Sequence, residues 1–176
     1  MIGLFPQDDG VCVKRRRFRF QDQVSPMRLD QIFKIEFLNE NLSSSTKIDV
    51  LAELINILIH GGLRIDRTKT LDVLRQREKL GSTGIGDGFA IPHGKVSDLQ
   101  KLVVAFGRSK KGIAFDAIDG KPVHLFFLLL APENSTGQHL KALAKISKML
   151  KTHNFRKKLI DARTTSDLYK AIIEQD

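Results

Sequence analysis

Residues 123–130 have the sequence Val-His-Leu-Phe-Phe-Leu-Leu-Leu, the core of the longest apolar run in the chain. A membrane helix needs about 20 apolar residues, so a run of this length predicts a buried strand instead. Leu-Val-Val-Ala-Phe-Gly at 102–107 has the same character. Residues 89–93 predict a third strand, and residues 34–38 predict an edge strand. The sequence therefore places a hydrophobic sheet at the centre of the fold.

Segments with helical periodicity lie on both sides of these strands in the sequence. Five helices are predicted, over residues 47–60, 67–79, 137–151, 155–162 and 166–175. Thr46 offers an N-cap to the first helix and Gly61-Gly62 offers its left-handed stop, while Thr165 or Ser166 would cap the last helix. Two helices, then strands, then three helices predict an α/β protein: a three-layer α/β/α sandwich with helices on both faces of the sheet.

Length and composition fit one domain in a reducing compartment. The chain has 176 residues and a single cysteine, Cys12, which excludes an internal disulfide framework and a cysteine-based zinc cluster. The N-terminus has neither the basic region nor the apolar stretch of a secretory signal. We expect a cytoplasmic protein that does not insert into a membrane and that needs no metal and no cofactor.

The net charge of +9 is concentrated late in the chain, because residues 141–163 hold eight basic residues and one acidic residue. A helix with an apolar side and a cationic side is predicted at the start of this segment. The apolar side consists of Leu140, Leu143, Ile146 and Leu150, and the cationic side of Lys141, Lys145 and Lys148. The cationic side is either a solvated surface or a docking surface for an acidic partner or nucleic acid. Nucleic acid is the weaker alternative because no aromatic residues are interleaved there.

Residues 1–26 differ from the rest of the chain. They carry a basic run at 14–19 and two prolines, Pro6 and Pro26, without any regular period, which predicts a flexible basic tail. Such an arm could contact nucleic acid. A simpler explanation is that translation starts at Met27 and that the domain comprises residues 27–176.

Residues 81–95, Gly-Ser-Thr-Gly-Ile-Gly-Asp-Gly-Phe-Ala-Ile-Pro-His-Gly-Lys, contain five of the thirteen glycines. Glycines at this density let backbone N–H groups converge on an anion, which indicates a phosphate site. Neither the Walker A spacing nor the dinucleotide pattern is present, so ATP, GTP and NAD sites are excluded. The candidate phosphate-loop residues are Ser82, Thr83, Gly84, Gly86, Gly88 and Gly94.

His93 is the candidate nucleophile of this segment, because it follows Pro92 at the end of a predicted strand. A neutral imidazole can accept a phosphoryl group and pass it on. Arg77 would offer a fork of donors to the phosphoryl oxygens. His139, at the start of a predicted helix, could donate from a neutral ring because a helix N-terminus disfavours imidazolium. His124, which opens the buried strand at 123–130, is either a core histidine or a supporting group.

Four motifs in this sequence are similar to those of a known family. They are Arg77-Glu78, the segment 81–95, Phe-Asp-Ala-Ile-Asp-Gly-Lys-Pro-Val at 115–123, and Ala131-Pro132 followed by His139-Leu140. From about Met27 onward, the chain resembles the type 2 (fructose/mannitol-type) enzyme IIA domain of the bacterial phosphoenolpyruvate-dependent phosphotransferase system. Within that family it is most similar to the nitrogen-regulatory branch.

The resemblance implies a fold, a reaction and a set of site residues. Family members have a mixed sheet of about five strands between helices. His93 would be phosphorylated at Nε2 by a histidine phosphocarrier protein of the HPr or NPr type, and Arg77 and His139 would be the accompanying site residues. His124 stands where relatives often have an acidic residue.

Three functions remain open at this point. The leading hypothesis is a regulatory phosphocarrier linked to nitrogen and potassium, whose targets would be potassium transport proteins or sensor kinases. It is favoured because no permease domain precedes the end of the sequence at Asp176. The alternative is a sugar-specific enzyme IIA that passes phosphate to a separate membrane permease. The third is a binding module in which His93 is never phosphorylated.

Overall fold

The computed structural model of the chain describes residues 27–175, and within this range the centre is a mixed sheet of six strands. The strands are β1 (Phe33–Asn39), β2 (Gly84–Gly86), β3 (Phe89–Ala90), β4 (His93–Lys95), β5 (Val103–Ile113) and β6 (Val123–Ala131). The predictions about the tail at 1–26 concern residues outside the described range, so they stay predictions.

Five α-helices cover the sheet in the described part of the chain. They are α1 (Lys47–His60), α2 (Arg67–Lys79), α3 (Thr136–Lys151), α4 (His153–Asp161) and α5 (Thr165–Ile173). Helices α1 and α2 pack on one face with Phe126, Leu128 and Leu130 of β6. Helices α3, α4 and α5 pack on the other face with the alternate β6 residues, such as Phe127 and Leu129. The predicted three-layer sandwich is confirmed.

Strand β6 lies at the centre of the sheet, as its apolar sequence predicts. The strand order is β1-β5-β6-β3-β2, and β4 pairs with β6 beyond the end of β3. Strands β3 and β4 run parallel to β6, whereas β5 runs antiparallel to it. Among the strands of residues 27–175, β1 pairs only with β5 and forms the predicted edge.

The predicted strand at 89–93 is wrong in one respect, because it is divided into β3 and β4. Pro92 lies between the two and has no N–H to contribute to a sheet ladder. Its carbonyl still accepts a hydrogen bond from Leu129 N at 2.9 Å, so the chain stays alongside β6. This interruption and the short strand β2 raise the number of strands to six.

Helix boundaries follow from capping. Thr46 accepts from Asp49 N, and Gly62 has a φ of 92° just after α1, as predicted. Helix α5 is capped by Thr164 and not by the predicted Thr165 or Ser166. The reason is Asp167, which lies three residues after Thr164 and completes a reciprocal capping box with it.

The apolar side predicted for α3 is corrected at Leu140, which is 60% exposed. His139 takes the inward position instead, and Ala142 and Ile146 continue the buried stripe, because adjacent residues of a helix differ in direction by about 100°. On the opposite side Lys141 and Lys148 are exposed as predicted, while Lys145 is half-buried.

Across residues 27–175, none of the helices has both the length and the apolarity required to cross a membrane.

Candidate active site

His93 is the first residue of β4 and pairs with Leu129 of β6. Its Nδ1 is 2.8 Å from the carbonyl oxygen of Ile91. A carbonyl can only accept, so Nδ1 carries the proton and Nε2 carries the lone pair. The backbone around Pro92 thus fixes both the orientation and the tautomer of the ring.

Arg77, in the last turn of α2, reaches the other nitrogen of this ring. Its Nε donates to Nε2 of His93 at 2.9 Å, and one of its terminal nitrogens, Nη1, donates to the carbonyl oxygen of Gly81 at 2.9 Å. The guanidinium therefore lies directly at the nitrogen that has the free lone pair. The structure brings together the two residues that were predicted to share a site.

His139 lies in the first turns of α3, and its ring centroid is 5.5 Å from that of His93. The residue is only 8% exposed, and its Nδ1 is buried with no hydrogen-bond partner among the described residues. A buried polar atom without a partner is costly. His139 thus keeps one ring nitrogen unpaired among the described residues while its ring packs near that of His93.

Both histidines of the site have lowered pKa values. Burial lowers the pKa of His93 below its ordinary value of 6.5, and the positive charge of Arg77 lowers it further. Burial likewise lowers the pKa of His139, and the charges of His93 and Lys95 act in the same direction. The lowered pKa values favour the neutral form of both rings, which is the form that a nucleophile requires.

Glu78 organises the backbone next to the site. The sequence analysis included it in the Arg77-Glu78 motif but assigned it no role. Its carboxylate accepts from the backbone N–H of Thr83 and from the Thr83 hydroxyl. It also pairs with Lys47 Nζ at 2.8 Å, and only 7% of the Glu78 side chain is exposed. Glu78 therefore fixes the segment 81–83 against the end of α2. An acid directly after a predicted site arginine was the available signal.

The segment 82–84 is joined to the strand that holds His93 by a backbone hydrogen bond. Thr83 O accepts from Ile91 N at 3.0 Å, and Ile91 is the residue that holds His93. Ser82 Oγ donates to Phe115 O and accepts from Gly84 N. These polar groups of Ser82 and Thr83 are engaged within the protein, so they shape the wall of the site.

Gly86 and Gly88 do not lie beside His93. They belong to the turn between β2 and β3, with φ values of 101° and 78°, which favour glycine. Phe89 is level with Leu125 on β6, whereas His93 is level with Leu129. Four residues of strand separate the two ends by about 13 Å.

Gly94 has a packing role. A Cβ at this position would lie 2.7 Å from Val73 Cγ1, and a Cβ at Gly84 would lie 2.8 Å from Ala117 Cα. Glycine at 94 therefore lets α2, which carries Arg77, approach β4, which carries His93. Close approach of backbones is a common reason for glycine in a strand.

His124 lies at the other end of β6, where its Nδ1 is 2.9 Å from Ser109 O. It is half-buried, and it lies next to the backbone of Gly88 and Gly112. The structure does not bring it to His93. It fits the alternative of a histidine that supports the strand packing at that end.

A family model and several known proteins match this chain. The family model "Phosphoenolpyruvate-dependent sugar phosphotransferase system, EIIA 2" matches residues 31–175. The fructose-specific EIIABC component of Bacillus subtilis is 33% identical over 150 residues, which are 85% of this chain and 24% of that protein. A nitrogen regulatory protein of Bradyrhizobium diazoefficiens is 48% identical over 101 residues, which are 57% of this chain and 66% of that protein. The chain thus spans about a quarter of the first relative and about two thirds of the second.

Two further relatives match over nearly their whole length. A nitrogen regulatory protein of Pseudomonas aeruginosa is 36% identical over 148 residues, covering 84% of this chain and 96% of that protein. The crystal structure of nitrogen regulatory protein IIA-Ntr from Neisseria meningitidis has a TM-score of 0.75 and 32% identity, and covers 81% of this chain and 97% of that one.

A mixed sheet between helices, with a histidine at a strand end beside an arginine and a second histidine, fits the class of phosphotransferase components. The chain belongs to the type 2 enzyme IIA family of the phosphoenolpyruvate-dependent phosphotransferase system. Domains of this family are phosphotransferase components that accept phosphate from phosphocarrier proteins.

Proposed function

We propose that this chain accepts a phosphoryl group on Nε2 of His93 from a histidine phosphocarrier protein of the HPr or NPr type. The observation that carries the proposal is the hydrogen bond between His93 Nδ1 and Ile91 O at 2.8 Å. Because the proton is held there, the lone pair of Nε2 is the nucleophile.

The transfer step follows from this arrangement. The Nε2 lone pair forms a bond to phosphorus while the P–N bond of the donor phosphohistidine breaks and its electron pair returns to the donor ring. Arg77 occupies Nε2 in the free protein, so its guanidinium has to turn from the lone pair toward the phosphoryl oxygens. His139 offers a neutral ring on the neighbouring side. Such a reaction depends mainly on positioning and on neutralising charge.

Labelling tests the proposal. The full chain is incubated with radiolabelled phosphoenolpyruvate, the first enzyme of the system and a phosphocarrier. We expect an acid-labile, alkali-stable label that His93→Ala abolishes and that His153→Ala, a change on the exposed start of α4, leaves intact. A wild-type chain that takes no label, as expected for a pure binding module, or a labelled His93→Ala variant, would refute the proposal.

The role we favour for this reaction is regulation linked to nitrogen and potassium. The nitrogen regulatory relatives that match along nearly their whole length support it. Phosphorylation would add about two negative charges beside His93, and the free and phosphorylated forms would then bind different targets. Potassium transport proteins and sensor kinases are the targets to test, by binding assays with the wild type and His93→Ala.

A sugar-specific role is the second candidate, because a fructose-specific relative is 33% identical to this chain. In that role the phosphoryl group passes from His93 to a separate membrane permease component. Complementation of a mutant deficient in fructose uptake by the wild type, but not by His93→Ala, would favour this role over regulation.

A further inference from the structure

Lys95 lies on the same face of the sheet as His93. The two residues are two positions apart on β4, and their β6 neighbours Leu129 and Ala131 both belong to the core on the side of α3. Gly94, between them, faces α2 on the other side. Alternation along a strand therefore directs both side chains toward the start of α3, where His139 lies.

The ammonium group of Lys95 is held near this start. Its Nζ donates to Glu133 O at 3.2 Å, and Glu133 belongs to the loop that connects β6 to α3. Its positive charge is also among the causes that lower the pKa of His139. Lys95 and His139 are thus close enough to interact electrostatically, and His139 in turn packs against His93.

From this geometry we propose that Lys95 is a further catalytic residue, whose ammonium contacts a phosphoryl oxygen when His93 carries phosphate. Arg77 approaches His93 from the end of α2, whereas Lys95 approaches from the side of α3. The transferring group would then have a cation on each side, which suits charge spread over three oxygens. An ammonium has three N–H donors and rotates freely, so it can exchange partners when the phosphoryl group arrives.

This inference rests on the proposed phosphorylation of His93. A role for Lys95 makes one prediction that a site of Arg77 and His139 alone would not make. Removing the charge at 95 should slow the acceptance of phosphate and shorten the lifetime of the phosphorylated form. The buried His139 would also lose a neighbouring positive charge.

The test compares Lys95→Gln and Lys95→Arg with Lys111→Gln. Lys111 is exposed in β5 near Ile113, which is level with Val123 at the opposite end of β6 from His93, so this control makes the same charge change far from the site. We expect Lys95→Gln to lower the rate of phosphate acceptance about tenfold, the effect of losing one charge-assisted hydrogen bond. Lys95→Arg should restore most of the rate, and Lys111→Gln should match the wild type.

A titration of the histidine rings by NMR measures whether the charge of Lys95 reaches the site. Lys95→Gln should move the midpoint of His139 upward, and Lys95→Arg should not. Thermal unfolding of all variants shows whether they remain folded. If Lys95→Gln misfolds, Lys95→Met provides a second neutral variant.

The outcomes separate the two proposals. A wild-type chain that takes no label overturns the phosphorylation proposal and this inference with it. A labelled wild type whose rate is unchanged in Lys95→Gln overturns only the role of Lys95. An equal loss of rate in Lys95→Gln and Lys95→Arg would show that the shape of the side chain matters and its charge does not. That result would also overturn the role of Lys95.

Discussion

A few backbone contacts set the orientation and the tautomer of His93, the proposed nucleophile. The carbonyl of Ile91 selects the tautomer, Pro92 sets the direction of the chain, and pairing with Leu129 fixes the position of the strand. Arg77 donates to the other ring nitrogen, Nε2, which is the proposed nucleophile. The orienting bond and the reactive lone pair lie on opposite nitrogens, so the ring does not have to turn during the reaction.

The lowered pKa values of the two site histidines predict the pH dependence of transfer. A base with a lowered pKa stays neutral to lower pH, so we expect both His93 and His139 to titrate below 6.5, and the rate to persist below that pH. NMR titration of the ring protons measures both midpoints. Arg77→Gln should raise the midpoint of His93, because the Arg77 charge is one of the causes of the shift. A midpoint above 6.5 in the wild type would contradict the prediction.

The motifs and the family resemblance predicted that Arg77, His93 and His139 share a site, and the three side chains are neighbours in the structure. Their chemical roles stay predictions. The sequence did not predict the contacts of Glu78 or Lys95. The role of a charged side chain depends on which backbone groups fold against it. Thr83 N–H reaches Glu78, and Glu133 O reaches Lys95, only after the tertiary fold has formed.

At the scale of elements, the connection between α2 and β2 is held in place by Glu78, next to the site. Burial alone would raise the pKa of Glu78, but hydrogen bonds from Lys47 and Thr83 outweigh it and keep the pKa below its ordinary value. Lys47 belongs to α1 and also pairs with Asp116 before β6. One carboxylate thereby joins α1, α2 and the segment 81–83.

Replacing Glu78 with glutamine should destabilise the protein by about 2 kcal/mol, because the amide cannot satisfy the same donors and Lys47 loses its buried partner. Urea unfolding measures the change. A carboxylate with a lowered pKa stabilises the fold above its unfolded pKa, near 4.5, so the difference from wild type should shrink as the pH falls below that value. Asp72→Asn makes the same charge change at an exposed position of α2, where the pair with Arg75 is solvated, and should change stability by less than about 0.5 kcal/mol. Equal effects of the two variants would contradict the role of Glu78.

The contact between α2 and β4 gives a second prediction at this scale. Gly94→Ala places a methyl group 2.7 Å from Val73 Cγ1, so it should cost about 1 to 3 kcal/mol and slow labelling of His93 by moving Arg77. Adding Val73→Ala should recover part of both losses. Gly137→Ala is the control, since a Cβ there meets nothing within 4 Å. An unchanged free energy of unfolding in Gly94→Ala would contradict the prediction, because it would show that α2 can move away from β4 at little cost.

Elements with a clear period were predicted best. The bounds of α1 and α2 agree with prediction because side-chain caps and glycine stops mark them locally. Strand β2 was not predicted, since Gly-Ile-Gly has no period and becomes a strand only by pairing with β3. The break at Pro92 is visible in the sequence, but the second pairing with β6 that follows it is a tertiary feature.

For the whole molecule, the distribution of exposed apolar side chains points toward the site. Among the described residues, the three most exposed large apolar side chains are Leu80 at 86%, Ile118 at 80% and Leu140 at 60%. Leu80 follows α2 directly, and Leu140 follows His139. Ile118 N donates to Gly84 O, so its loop lies alongside the segment that follows Leu80. Exposed apolar side chains gathered in one region are typical of a protein interface.

Leu80→Ser and Leu140→Ser should therefore raise the KM for the phosphocarrier severalfold and leave kcat nearly unchanged, because they remove contacts to the donor and none to the phosphoryl group. Both positions are exposed, so unfolding free energies should change by less than about 0.5 kcal/mol. Ile160→Ser is the matched control, since Ile160 is 53% exposed on α4, next to Asp87 of the β2–β3 turn, away from His93. Steady-state labelling over a range of phosphocarrier concentrations gives both constants. If Ile160→Ser raised the KM as much as Leu80→Ser, the phosphocarrier would not be docking on the surface around His93.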